Sequence, residues 1–317
     1  MKYIESFREG EGINDIYLVR SKKSDVTKTG KPYDKLVLTD KTGSVDAMIW
    51  DPNSAGIDDF DVLDYICVNA VVNSYQGANQ LNIKRVRKCS EGEYDPCDYL
   101  PVSERDIDEM WNELMAYVDG IKNPYLKQLL EAFFKDAAFE AQFRKSSAAK
   151  AVHHGFVGGL LEHTLSVTDL CNYYTKAYPM LHRDLLLTVA MLHDIGKTRE
   201  LSDFPQNDYT DEGQLLGHIV MGAHMAMEKM DAINGFPAKL RSEVAHCILA
   251  HHGEYEFGSP KKPALMEAVA LHFADNTDAK METMKEIFAS TTDDGWLGFN
   301  RLIDSNIRRT SGEDQYV

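Results

Sequence analysis

A chain of 317 residues, 44% apolar and 26% charged, is long enough for one large or two ordinary globular domains whose cores need no covalent staples. No window approaches 18 uncharged apolar residues, and the start, MKYIESFREGEG, lacks the apolar core of a secretory signal; the expectation is a cytoplasmic protein with no membrane contact. The net charge of −16 argues against a surface that is basic throughout, but residues 1–90 hold 13 basic and 13 acidic side chains, leaving 21 and 37 for the remainder.

The first ninety residues read as strands. DIYLVRSKKSDVT, KPYDKLVLTD, SVDAMIW, YICVNAVVNSY and QLNIKRVRK are rich in Val, Ile, Leu and Tyr with partial alternation. Turn-forming clusters at 28–32, 40–43, 51–56 and 76–79 separate them. Five short strands in this length fit an all-β, OB-like barrel over 1–90. The polar, Pro-bearing stretch 91–102 is the expected linker. From 103 to 310 the period changes to three and four, which predicts an all-α domain opened by a Ser-x-x-Asp cap at Ser103 and Asp106. Residues 311–317 read as a tail. Five scattered cysteines with no CxxC pair suit reduced thiols and argue against a zinc ribbon.

Within the helical region, ligand-type side chains fall in a characteristic order. His163 lies in GGLLEHT, His193 and Asp194 in LHDIGK, His218 in LLGHIV, His251 and His252 in LAHHGE, and Asp275 in HFADNTD. Imidazole and carboxylate donors without cysteine suit a divalent transition metal: Mn²⁺, Fe²⁺, Co²⁺, Ni²⁺ or Zn²⁺. His193 and Asp194, about 100° apart on a helix, can share a metal near a helix end, and Gly196 is expected to supply that end. His182, His224, His246 and His272 read as core or surface residues.

The order His, His-Asp, Asp at 163, 193, 194 and 275 resembles the HD superfamily of metal-dependent phosphohydrolases. That resemblance implies an all-helical fold and a first metal held by His163, His193, Asp194 and Asp275. It also implies a second metal held by Asp194, His218, His251 and His252, with Asp194 as the bridge. Lys197 of the HDIGK form would face the substrate phosphate. With the barrel included, essentially the whole chain is similar to the YhaM type of 3′-to-5′ exoribonuclease. Such enzymes act on single-stranded RNA, in some cases single-stranded DNA, with Mn²⁺-type metals, and release nucleoside 5′-monophosphates.

Two metals about 3.5–4 Å apart can share a hydroxide nucleophile and hold a phosphate oxygen. Asp194 would set their spacing, and Lys197 would add a cation near the non-bridging oxygens. His154 could touch a phosphate or cap a helix. Tyr33, Trp50 and Tyr75, with Lys22, Lys23, Lys31 and Lys35, are the barrel's candidates for holding a single strand; barrel packing is the bland alternative for the three rings. Two further readings remain at this level. One is an HD phosphohydrolase acting on a small nucleotide, with the barrel serving assembly or regulation. The other is a single-strand binding module with a relic site. The Met-rich MGAHMAMEKM and the barrel edges leave room for a homo-oligomer.

Overall fold

The computed structural model describes residues 1–75, 77–100, 102–150, 154–289, 291 and 293–311. The expected tail therefore lies outside the described residues except for Ser311. Contacts divide the chain into two units, Met1–Val102 with Phe204–Gln206, and the remainder.

The first unit is the expected barrel. β1 (Gly12–Val26), β2 (Pro32–Asp40), β3 (Gly43–Ile49), β4 (Tyr65–Tyr75) and β5 (Ala78–Lys88) close in the order β1-β2-β3-β5-β4. Neighbours are antiparallel except β3 and β5. The turn cluster at 51–56 is not a hairpin. It begins a longer connection to β4, which pairs back on β1 and lets β5 close the barrel beside β3. A parallel pair cannot be joined by a tight turn, and here β4 makes the crossover. One face of each strand fills the core: Leu36 and Leu38, Val45 and Ala47, Ile66 and Val68, Leu81 and Ile83 are all buried. An irregularity opposite Asn69 and Ala70 leaves Lys84 without a partner, which is why the next buried residue of β5 is Val86 rather than Arg85.

The second unit is a helical bundle of α1 (Ile107–Asp119), α2 (Pro124–Phe134), α3 (Ala137–Phe143), α4 (Gly159–Ala177), α5 (Arg183–Leu192), the single turn α6 (Lys197–Glu200), α7 (Asp211–Ala232), α8 (Ala238–Ala250) and α9 (Met266–Ala289). Helix starts follow local chemistry. Asp106 accepts from Glu109 N, Asn123 precedes Pro124 and accepts from Leu126 N, and Asp136 accepts from Phe139 N. Ser103 is not the cap; its hydroxyl donates to Glu162 at 2.5 Å. In α5 every residue from Leu185 to Leu192 is buried, so this helix is the axis of the bundle, with α2, α4, α8 and α9 around it. Each fully buried leucine there contributes about 1.5–3 kcal/mol.

The all-α expectation for 103–310 needs one correction. β6 (Trp296–Asn300) and β7 (Ser305–Arg308) form an antiparallel hairpin anchored by buried Ile307. Two strands this short carry too few residues for a readable alternation. Among the described residues no helix is long and apolar enough to cross a membrane.

Candidate metal centre

The buried axis delivers the chemistry. α5 ends at Leu192, and His193 and Asp194 follow it into the bundle centre, 0% and 2% exposed. Gly196 does not terminate the helix as expected. Its backbone is right-handed (φ −62°), and it serves close approach instead: a Cβ there would meet the His218 carbonyl oxygen at 2.0 Å and Gly222 N at 2.7 Å. The glycine thus lets α7 lie against the His-Asp turn. Gly196→Ala is expected to destabilise the protein by about 1–3 kcal/mol or more, read as a lower urea midpoint at unchanged m-value.

His163 comes from the first turns of α4, His218 from α7, His251 and His252 from the end of α8, and Asp275 from the middle of α9. Their hydrogen bonds fix which ring nitrogen faces inward. A main-chain carbonyl can only accept, so Nδ1 donates from His193 to Ala190 (2.7 Å), from His251 to Ile248 (2.7 Å) and from His252 to Phe257 (2.8 Å). His163 Nδ1 donates to Asp278 Oδ2 at 2.6 Å, and His218 Nδ1 to Glu200 Oε1 at 3.0 Å. With Nδ1 so engaged, each of the five rings turns Nε2 inward, and in its neutral form offers a lone pair there.

Four of those nitrogens, on His163, His193, His218 and His251, gather on the two oxygens of Asp194. Oδ2 lies 3.4 Å from Nε2 of both His163 and His193, and Asp275 Oδ1 lies 3.3 Å from His163 Nε2. Oδ1 lies 3.4 Å from His218 Nε2 and 3.6 Å from His251 Nε2. The donor atoms of His163, His193 and Asp275 fall within 4.8 Å of one another, as do those of His218, His251 and His252. His163 and His193 face Nε2 to Nε2 at 3.2 Å. On the other side, Asp194 Oδ1, His218 Nε2 and His251 Nε2 are buried without a hydrogen-bond partner. On that side the buried acceptors converge with no donor among them, which is a ligand set for a cation, so the residues present fit a divalent metal.

The electrostatics agree. Burial disfavours a charged His163 ring, yet Asp194, Asp275 and Asp278 outweigh it and favour positive charge at that spot. Burial also pushes the Asp194 and Asp275 carboxyls up. Lys197 and the histidines beside Asp194, and the histidines beside Asp275, reverse this and hold both well below the usual range. Burial, with His251 beside it, lowers His252 to about 4, so that ring is neutral at pH 7.

Two carboxylates behind the ligands had no sequence signal strong enough to separate them from solvated acids. Glu200 Oε1 accepts from both the main-chain N–H (2.9 Å) and Nδ1 of His218. It satisfies the N–H that Gly217, at φ 72° inside α7, frees by kinking the helix. Asp278, one turn beyond Asp275, holds His163 and accepts from His154 Nε2 at 3.1 Å. His154, expected at a phosphate or a helix cap, is 1% exposed with its Nε2 on Asp278. Asp278→Asn and Glu200→Gln should each weaken Mn²⁺ binding about 10–100-fold in calorimetric titration, each acting on a different histidine set.

A cleft of about 420 Å³ opens over the centre, lined in part by His163, Lys197, His252 and Asp275. Lys197 Nζ lies 2.7 Å from Asp194 Oδ2, close enough to the centre to meet a bound anion. His272, by sequence a core or surface residue, lines the same cleft with its Nδ1 3.0 Å from the His251 carbonyl. His182 caps α5, His246 accepts from Ala264 N, and His224 is exposed.

Tyr33, Trp50 and Tyr75 belong to the barrel. Trp50 and Tyr75 are exposed, the Tyr33 and Trp50 rings lie 5.7 Å apart, and Asp46 raises the Lys35 ammonium with smaller contributions from Tyr33 and Tyr75. Lys22 is engaged by the Phe60 carbonyl and Lys35 by Asp46, whereas Lys23 and Lys31 are exposed.

An OB-like barrel followed by a helical unit with this histidine–aspartate centre defines a chain of the HD-domain class, and the HD domain family model matches residues 160–280. The 3′-5′ exoribonuclease YhaM of Bacillus velezensis is 34% identical over 87% of this chain and 87% of its own length. The Bacillus subtilis protein of the same name is 35% identical over 87% of each, and that of Bacillus pumilus 33% identical over 89% and 90%. This chain belongs to the YhaM family. The NMR structure of the second OB-fold domain of replication protein A from Methanococcus maripaludis covers 30% of this chain and 98% of that one, at 17% identity and a TM-score of 0.24.

Proposed function

We propose that this chain is a metal-dependent exoribonuclease that shortens single-stranded RNA from its 3′ end and releases nucleoside 5′-monophosphates. The observation that carries the reading is the division of Asp194 between two sets of free imidazole nitrogens, in a chain whose likeness to 3′-5′ exoribonucleases runs through both the barrel and the helical unit. His163, His193, Asp194 and Asp275 would hold one metal, and Asp194, His218, His251 and His252 a second. Divalent metals bound there supply Lewis acidity toward the phosphate and lower the pKa of water.

The protein's own groups do the rest. Asp194 keeps the two ligand sets at a constant separation. Lys197 presents its ammonium to the non-bridging phosphate oxygens, where negative charge grows in the transition state. Asp278 and Glu200 hold His163 and His218 in the tautomer that leaves Nε2 free. On the barrel, Tyr33, Trp50 and Tyr75 offer faces for stacked bases. The triple alanine variant at these positions should raise KM for a long RNA more than about fivefold, with kcat and dinucleotide hydrolysis unchanged.

The test is purified protein with Mn²⁺ and 5′-labelled single-stranded RNA, beside the DNA equivalent and a panel of nucleotides. A ladder shortening from the 3′ end, abolished by chelator, supports the reading. Hydrolysis of nucleotides alone would remove it, and DNA turnover would widen the substrate class.

A further inference from the structure

The turn after α8 joins a metal-facing ring to an exposed aromatic. His252 Nδ1 donates to the main-chain carbonyl of Phe257 at 2.8 Å, while Phe257 lines the metal cleft and stays 62% exposed. The turn is narrowly determined. Gly253 (φ 80°) and Gly258 (φ 84°) bound it, and the His272 ring occupies the place of a Cβ at Gly253. The cleft is otherwise dominated by polar side chains. Its second large apolar member is Leu302, 51% exposed in the β6–β7 turn, whose carbonyl accepts from Lys280 Nζ at 3.4 Å. An exposed phenyl ring beside metal ligands, in a cleft of nucleotide-site size, is placed to meet a flat apolar ligand group next to a phosphate.

We propose that Phe257 is the stacking platform for a nucleobase of one of the two nucleotides flanking the scissile phosphate, with Leu302 adding apolar contact; this rests on the exoribonuclease reading above. Because the carbonyl of Phe257 itself holds His252, one residue's main chain sets the spacing between the stacked base and the metal-facing nitrogen. Stacking reads the π-face that all four bases share, so the device positions the strand without selecting sequence.

The experiment uses full-length, Mn²⁺-loaded protein and short RNAs that are intact or carry an abasic ribose at the last or the penultimate position. The wild type should lose about 5- to 150-fold in kcat/KM at one of the two abasic positions. Phe257→Ala should cleave intact RNA at the rate of that abasic RNA and cleave the abasic RNA as the wild type does, with unchanged Mn²⁺ uptake. Phe257→Trp should restore the preference for a base. Tyr255→Ala, which removes an equally exposed ring outside the cleft lining, should leave it intact. Equal losses by Phe257→Ala on intact and abasic RNA, or no loss on either, would overturn the stacking role while the exoribonuclease reading stands. A wild type that shortens no RNA from the 3′ end takes both down.

Discussion

Asp194→Ala is expected to lower kcat on single-stranded RNA by more than about 10³-fold and to erase the response of thermal stability to Mn²⁺. Removal of even one preorganised stabilising group from an active site costs about 10²–10³ in rate, and Asp194 turns one oxygen to His163 and the other to His218. A site filled at a hundredfold its Kd adds about 2.7 kcal/mol to the folded state, or about 5–11 °C of Tm in a domain of this size. The wild type should show that rise and the variant should not. Activity that survives in Asp194→Ala with wild-type metal content would mean that the reaction runs elsewhere.

Lys197→Ala is expected to lower kcat by about 10²–10³-fold while Mn²⁺ uptake persists, which separates the cation's role from that of the ligands. The ammonium is enclosed beside Asp194, and that carboxylate raises its pKa against the opposing effect of burial, so it is charged at neutral pH. Removing one partner of a buried pair leaves the other uncompensated, at about 3–5 kcal/mol. The metal-free variant should therefore melt below the metal-free wild type, and Mn²⁺ should recover part of the difference. Loss of metal binding together with activity would instead make Lys197 a structural partner of Asp194.

The candidate site was legible because imidazoles and carboxylates stood inside apolar helices, where a charged group needs a partner. His193 and Asp194 follow eight successive buried residues, a run that sets them apart from solvated side chains. The barrel was legible because its strands alternate, although the parallel β3–β5 pairing depends on contacts that no local pattern encodes. Gly196 was misread because glycine marks both a left-handed residue and a close approach, and only the packing of α7 separates the two. Glu200 and Asp278 lie one turn from Lys197 and Asp275, and a carboxylate at that spacing resembles an ordinary solvated face until the imidazoles meet it. The β6–β7 hairpin, which brings Leu302 to the cleft, was too short to announce itself.

Whether Asp194 serves two cations is measured most directly by the amount of manganese retained per chain after loading and gel filtration. Two ions per chain, falling to one or none in His218→Ala and to none in Asp194→Ala, is the predicted result. One ion per chain in the wild type, unchanged in His218→Ala, would contradict it.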